Sequence, residues 1–189
     1  SLMASTREIR RRIKSVRGIR QITKAMHMVA AVKMRKAQRA ALASRTYAQL
    51  AWRMLNRLSE QGRVLYPSPL LDQRPVRKAA VLVVTSNRGL AGSLNENVLR
   101  EALRSISVLT QQGVAVQTVL LGKRAATLRR RALVPVAAEF EKTDVVTSQA
   151  EIAPIAKLLI GDFISGKVDR VDVVYTDFRA PVNLKPVTR

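Results

Sequence analysis

The sequence predicts an α/β protein: a long N-terminal coiled-coil helix followed by a Rossmann-like βαβ domain with a mainly parallel sheet. Three observations carry that expectation. Residues Ser5 to Gln61 hold one glycine (Gly18) and no proline, and are rich in Ala, Arg, Lys, Met, Leu and Gln, all strong helix formers. Beyond them, continuous apolar runs alternate with amphipathic stretches, as strands and helices do in βαβ units. Between the two lies Tyr66-Pro67-Ser68-Pro69, a helix-terminating, linker-forming run. The expected division is 1–63 for the helix, 64–77 for a linker and 78–189 for the α/β domain.

A helix over the first segment is about 80 Å long at ~1.5 Å per residue. Ile9, Ile13, Val16, Ile19, Ile22, Met26 and Val29 form an apolar stripe at steps of three and four. From Ala30 a stricter seam follows through Met34, Ala37, Ala41, Ser44, Ala48, Ala51, Leu55 and Leu58. Its alternating 4-3 steps are a heptad pattern and predict a left-handed coiled coil. The small seam residues let a second helix approach closely. Such a stripe is ordinarily just the buried face of a helix, with its off-seam cations a solvated face. This one is too long to be covered by a domain of about 110 residues. It needs another long helix, from a second copy or from chain missing here.

The α/β part reads in order. Ala79–Thr85 is a continuous apolar run suited to a buried parallel strand. A turn with Gly89 and Gly92 leads into an amphipathic helix, Asn95–Gln112. Val114–Leu121 is a second strand, Gly122–Arg131 a short basic helix, and Val134–Phe140 a weaker strand. Thr147–Ile164 reads as a helix, with Ser148 as N-cap and Glu151 at the capping-box spacing. Arg170–Thr176 is a further strand, after which Pro181 and Pro186 leave an extended segment.

Composition narrows the function. There is no cysteine, which removes disulfides and thiolate metal sites, and the single histidine, His27, makes a zinc site implausible. No apolar run approaches the ~20 residues that span a bilayer, and the N-terminus lacks a secretory signal. Ser1-Leu2 ahead of Met3 reads as an appended remnant. Net charge is +21; residues 1–63 carry 16 Lys+Arg and 2 Asp+Glu, or +14, leaving +7 for the rest. A cationic helix implies an anionic partner: nucleic acid, anionic lipid or an acidic protein surface.

Motif chemistry is sparse. The turn Asn87-Arg88-Gly89-Leu90-Ala91-Gly92-Ser93-Leu94-Asn95 lies where a doubly wound sheet would hold a phosphate. Its G-x-x-G spacing is neither the dinucleotide fingerprint nor a Walker A loop, so a turn presenting Arg88 to a protein partner is the preferred reading. Gly122-Lys123-Arg124 is too short to specify a phosphate site. His27 has no nucleophile in range of a triad argument, and the acids of the α/β part have no paired-carboxylate spacing. A basic helix running into heptads has the outline of a basic zipper, but an apolar stripe crosses its most basic part. Aromatics are 4%, too few for single-strand stacking platforms. A homodimeric nucleic-acid binder and a phosphate-binding enzyme remain as rival readings.

Three stretches carry a family resemblance. Ile13-Lys14-Ser15-Val16, Gln21-Ile22-Thr23-Lys24-Ala25-Met26-His27-Met28-Val29-Ala30-Ala31 and Lys33-Met34-Arg35-Lys36-Ala37-Gln38 closely resemble the N-terminal helix of the gamma subunit of F-type ATP synthases. The loop Arg88-Gly89-Leu90-x-Gly92-x-Leu94-Asn95 and the run Val174-Tyr175-Thr176-Asp177-Phe178 match in their expected places. The loop departs from the family's Asp, Cys and Gly at Asn87, Ala91 and Ser93. A second long helix is expected after Arg189, antiparallel to the first.

The resemblance implies a rotating central shaft that couples ion flow through a membrane ring to ATP synthesis or hydrolysis at the beta subunits. It implies a non-catalytic subunit with no cofactor or metal of its own. Implied partners are the alpha and beta subunits, the epsilon subunit and the membrane c-ring. No specific nucleic acid and no membrane insertion are expected, and the place is the cytoplasmic face of the bacterial plasma membrane. Lys24, Met26, Arg35 and Lys36 on the helix, and Arg88, Gly89 and Leu90 on the loop, fall in motifs that approach the lower rim of the beta subunits in that family. Met26 reads equally well as a seam-packing residue.

Overall fold

The computed structural model describes residues 6–60, 68–72, 74–89, 91–141, 149–180 and 183–189. The chain divides into two compact units, Ser1–Tyr47 and Ala48–Arg189, with the boundary inside the first helix.

That helix, α1, spans Thr6–Glu60 and has 55 residues. Its extent follows from the near absence of breakers. Glu8 in the first turn and Arg57 in the last suit the helix dipole. Arg12 pairs with Glu8 at 2.7 Å, one turn apart. Thr23, a poor helix former, returns its Oγ1 to the carbonyls of Ile19 and Arg20, both at 3.0 Å. No described side chain between Thr6 and Arg57 is buried. The stripe Ile9, Ile13, Val16, Ile19, Ile22, Met26, Val29 is therefore presented rather than packed, with Met26 65% exposed.

The second unit is a five-stranded sheet in the order β3-β2-β1-β4-β5. The strands are β1 (Lys78–Val84), β2 (Ala115–Leu121), β3 (Val136–Phe140), β4 (Arg170–Ala180) and β5 (Asn183–Thr188). The first four are mutually parallel, and β5 is antiparallel to β4. Two longer helices, α2 (Leu94–Gln111) and α4 (Ala153–Ile164), and a single turn, α3 (Leu128–Arg131), make the connections.

β1 is continuously apolar because both of its faces are covered. Ala79, Val81 and Val83 pack with Val98, Leu99, Ala102, Ile106 and Leu109 of α2. Ala80 and Leu82 pack with Ile155 and Leu159 of α4. The one-residue alternation of a strand thus sorts the run into two cores. α2 reads as amphipathic because it buries one face only. The polar residue in the middle of β2, Thr118, is fully buried and satisfied by donating from Oγ1 to the Pro135 carbonyl at 3.1 Å. The ladder between β2 and β3 shifts register beside it.

Three expectations need correction or qualification. α4 begins at Ala153, not Thr147, because Pro154 sits in its first turn and Ile152 takes the N-cap place, after a 3-10 turn over Gln149–Glu151. Ser148 lies outside the described residues. The extended tail is a strand: Pro186 is accommodated in β5 opposite Thr176, at the sheet edge, where a missing N–H is tolerated. The basic segment after Gly122 is a 3-10 turn, Lys123–Thr127, that runs into α3.

Candidate functional site

Two groups of residues were expected to carry contacts, and they fall in different units. On α1, Lys24, Met26, Arg35 and Lys36 are all exposed. At ~100° per residue, Lys24 and Arg35 share a face, Lys36 lies about 120° round from Lys24, and Met26 points to the far side. They ring the helix rather than form one patch. Uncharged Met28, Val29 and Val32 are also more than half exposed, so apolar surface extends beyond the seam at this level.

The loop group is built on the C-terminal ends of β1 and β2. Thr85, which is buried, donates its N–H to the Leu121 carbonyl at 2.8 Å, and its Oγ1 lies 3.2 Å from the Gly122 carbonyl. This brings the β1–α2 loop against the turn after β2. Gly122 has φ +94°, and a Cβ added there would lie 2.4 Å from the Thr85 carbonyl oxygen. Only glycine fits. The next residues lace the two turns together: the Arg124 N–H donates to the Ser86 carbonyl at 3.1 Å, and the Lys123 N–H donates to Asn87 Oδ1 at 3.2 Å.

Asn95, on the first turn of α2, holds the loop from the other side. Its Oδ1 accepts the Ser86 N–H at 3.0 Å, and its Nδ2 donates to Ser86 Oγ at 2.9 Å. Ser86 Oγ donates onward to the Arg88 carbonyl at 2.7 Å. Gly92 turns the chain with φ +56°. Arg88 and Gly89 are exposed on this frame; Leu90 lies outside the described residues. Asn95 was visible as a motif letter, but its part in the frame was not, because nothing in the spacing reveals that its amide reaches back to Ser86.

A crevice of about 310 Å³ lies beside the loop, lined by Ala91, Gly92, Ser93, Leu94, Asn97, Thr176, Leu184 and Pro186. It sits where the connections leave β1 and β4 in opposite directions, the usual ligand position of a doubly wound sheet. Its lining carries no charged side chain. Among the described residues there is no cluster of His, Cys, Asp or Glu able to hold a metal, and no helix is long and apolar enough to cross a membrane.

The rim of this end is basic but largely paired. Arg131 forks Glu96 at 2.7 and 2.9 Å, Lys123 meets Glu141 at 3.4 Å, and Arg129 meets Glu139. The Arg131 hydrogen bonds, with Arg100 nearby, hold the Glu96 carboxyl below the usual range. At the opposite end, Asp169 Oδ2 accepts the N–H groups of Arg77 and Lys78, both at 3.0 Å. Those two bonds lower its pKa, helped by Arg74.

The first unit thus offers a long basic helix with an exposed apolar stripe, and the second a mainly parallel sheet that carries a laced glycine loop. A family model described as ATP synthase matches residues 5–189. The ATP synthase gamma chain of Thermosynechococcus vestitus is 38% identical over 190 residues, covering 99% of this chain and 60% of its own length. That of Desulfitobacterium hafniense is 39% identical over 184 residues, covering 97% and 64%. The chain belongs to the ATP synthase gamma family. It spans about 60% of the length of these curated relatives. Among solved structures, the central stalk/c-ring of the Tetrahymena thermophila mitochondrial ATP synthase matches with a TM-score of 0.68 at 22% identity, covering 89% of this chain and 70% of that one. At that identity the likeness speaks for the fold.

Proposed function

We propose that this chain is the shaft-bearing part of a central-stalk rotor subunit, which mechanically couples ion flow through a membrane ring to ATP synthesis or hydrolysis at the beta subunits. The observation that carries this reading is the 55-residue helix with its uncovered apolar stripe, in a chain of the gamma family. Residues 64–77 act as the linker between shaft and sheet. The seam from Ala30 to Leu58 takes a second long helix, antiparallel. Nucleotide chemistry belongs to the beta subunits, and this chain contributes no cofactor or metal site. Alpha, beta and epsilon subunits and the c-ring are its partners, at the cytoplasmic face of a bacterial plasma membrane and without insertion into it.

The physical demands agree. A continuous helical pair resists torsion, and contacts that must break at each step are suited to exposed cations, since surface ion pairs are worth only ~0–1 kcal/mol each. Lys24, Arg35 and Lys36 on α1, with Arg88, Gly89 and Leu90 on the loop, are the proposed contacts with the beta rim, and Met26 supplies an adaptable apolar one. Nucleic-acid binding has only the charge in its favour.

The test is assembly. Alpha and beta subunits are co-expressed with this chain carried in a polypeptide of its relatives' full length. Co-purification of a complex whose ATP hydrolysis drives rotation of the added subunit is expected. Exclusion of the polypeptide from the alpha–beta ring overturns the reading.

A further inference from the structure

Arg124 is a cation on the sheet rim outside the stretches that carry the family resemblance. Its neighbours are neutralised: Lys123 by Glu141, Arg129 by Glu139, Arg131 by Glu96. Among the described residues Arg124 has no carboxylate partner, and it is exposed. Its guanidinium lies across the backbone of Gly89, with one terminal nitrogen 2.5 Å from where a Cβ on residue 89 would sit. A side chain at 89 would displace it. The missing Cβ of Gly89 therefore makes room for Arg124, one residue from Arg88.

The backbone under this arrangement is fixed. The Arg124 N–H is bonded to the Ser86 carbonyl, and the same Ser86 is bonded through Asn95 and Arg88. The frame fixes where the Arg124 backbone sits, and the exposed guanidinium extends from it over Gly89. Its planar fork suits a carboxylate.

We infer that Arg124, whose guanidinium lies across Gly89 beside the Ser86–Asn95 frame, forms one contact surface with Arg88, and that this surface takes a carboxylate-bearing protein segment. An acidic protein segment is favoured over nucleic acid because Glu96, Glu139 and Glu141 interrupt the positive field around it. A polyanion tracked along a groove would need that field to be continuous. The inference rests on the rotor reading and adds to it a residue outside the family motif.

The test uses the same full-length polypeptide and the alpha–beta subcomplex, with affinity measured at low and at physiological salt. Arg124→Ala is expected to weaken binding about threefold to tenfold at low salt, the range of an exposed charge-assisted contact. Arg124→Lys loses less, because the charge remains. Gly89→Ala, which displaces the guanidinium but keeps its charge, should resemble Arg124→Lys and fall short of Arg124→Ala. The exposed control Arg130→Ala should leave affinity unchanged, and thermal melts should agree across the set. A double variant with Arg88→Ala that loses less than the sum of the single losses supports one shared surface. If the unsubstituted polypeptide does not bind, the rotor reading fails; if it binds and Arg124→Ala binds equally, this inference alone fails. A greater effect of Arg124→Ala on affinity for a 20-bp DNA duplex than on affinity for the subcomplex overturns the choice of an acidic protein segment.

Discussion

Gly122 and Asn95 do different work at adjoining corners. Gly122 is required by geometry, since its φ of +94° is joined by the Thr85 carbonyl in the space a Cβ would occupy. Gly113 has φ +76° with open space around it. Gly113→Ala should cost about 1 kcal/mol and Gly122→Ala about 3 kcal/mol or more, read from urea denaturation of the α/β unit. Equal costs would show that the Thr85 contact is relieved cheaply. Asn95 acts through hydrogen bonds. Asn95→Ala removes the acceptor of the Ser86 N–H and the donor to Ser86 Oγ, which keeps its bond to the Arg88 carbonyl, and is expected to cost about 1–2 kcal/mol. Amide exchange should accelerate at Ser86 more than in the middle of β1; unchanged exchange at Ser86 would remove Asn95 from the frame. These roles were only half legible in the sequence. Glycine in a turn is an open hint, whereas a bond from the first helical turn back to a serine nine positions earlier depends on the loop's path.

At the scale of elements, legibility followed burial. The Ala79–Thr85 run declared β1 because a strand covered on both faces has no polar positions to blur it. α2 declared itself through a one-sided apolar face. β5 did not, since Pro186 and an edge position weaken every strand signal, and the start of α4 was displaced by Pro154. The N-terminal end of β1 supplies a pH test. Asp169 takes the N–H groups of Arg77 and Lys78, and Arg74 lies 3.6 Å from it and 4.3 Å over the Phe163 ring. A carboxyl whose folded pKa is lowered contributes stability that is fully present above its unfolded value of ~4 and is lost as pH falls through the folded one. Asp169→Ala should therefore be less stable than the parent at pH 7, with the gap closing as pH drops below ~4. A gap that persists undiminished in acid would mean the charge is not what matters.

Across the whole molecule, stability is concentrated in the sheet unit. No described side chain of α1 up to Arg57 is buried, while Val83 is fully enclosed. Val83→Ala should lower the stability of the α/β unit by about 2 kcal/mol. Ile13→Ala or Val29→Ala should change it by less than about 0.5 kcal/mol. A large effect of the α1 substitutions would reveal packing of the stripe.

The same helix combines that open stripe with +14 over residues 1–63. Two copies zipped along it would confine twice that charge, +28, within one bundle, and the repulsion would be felt all along the seam. The helix is thus chemically biased against its own twin. It favours a companion of lower positive charge or opposite sign, and self-pairing should emerge only where salt screens the bar.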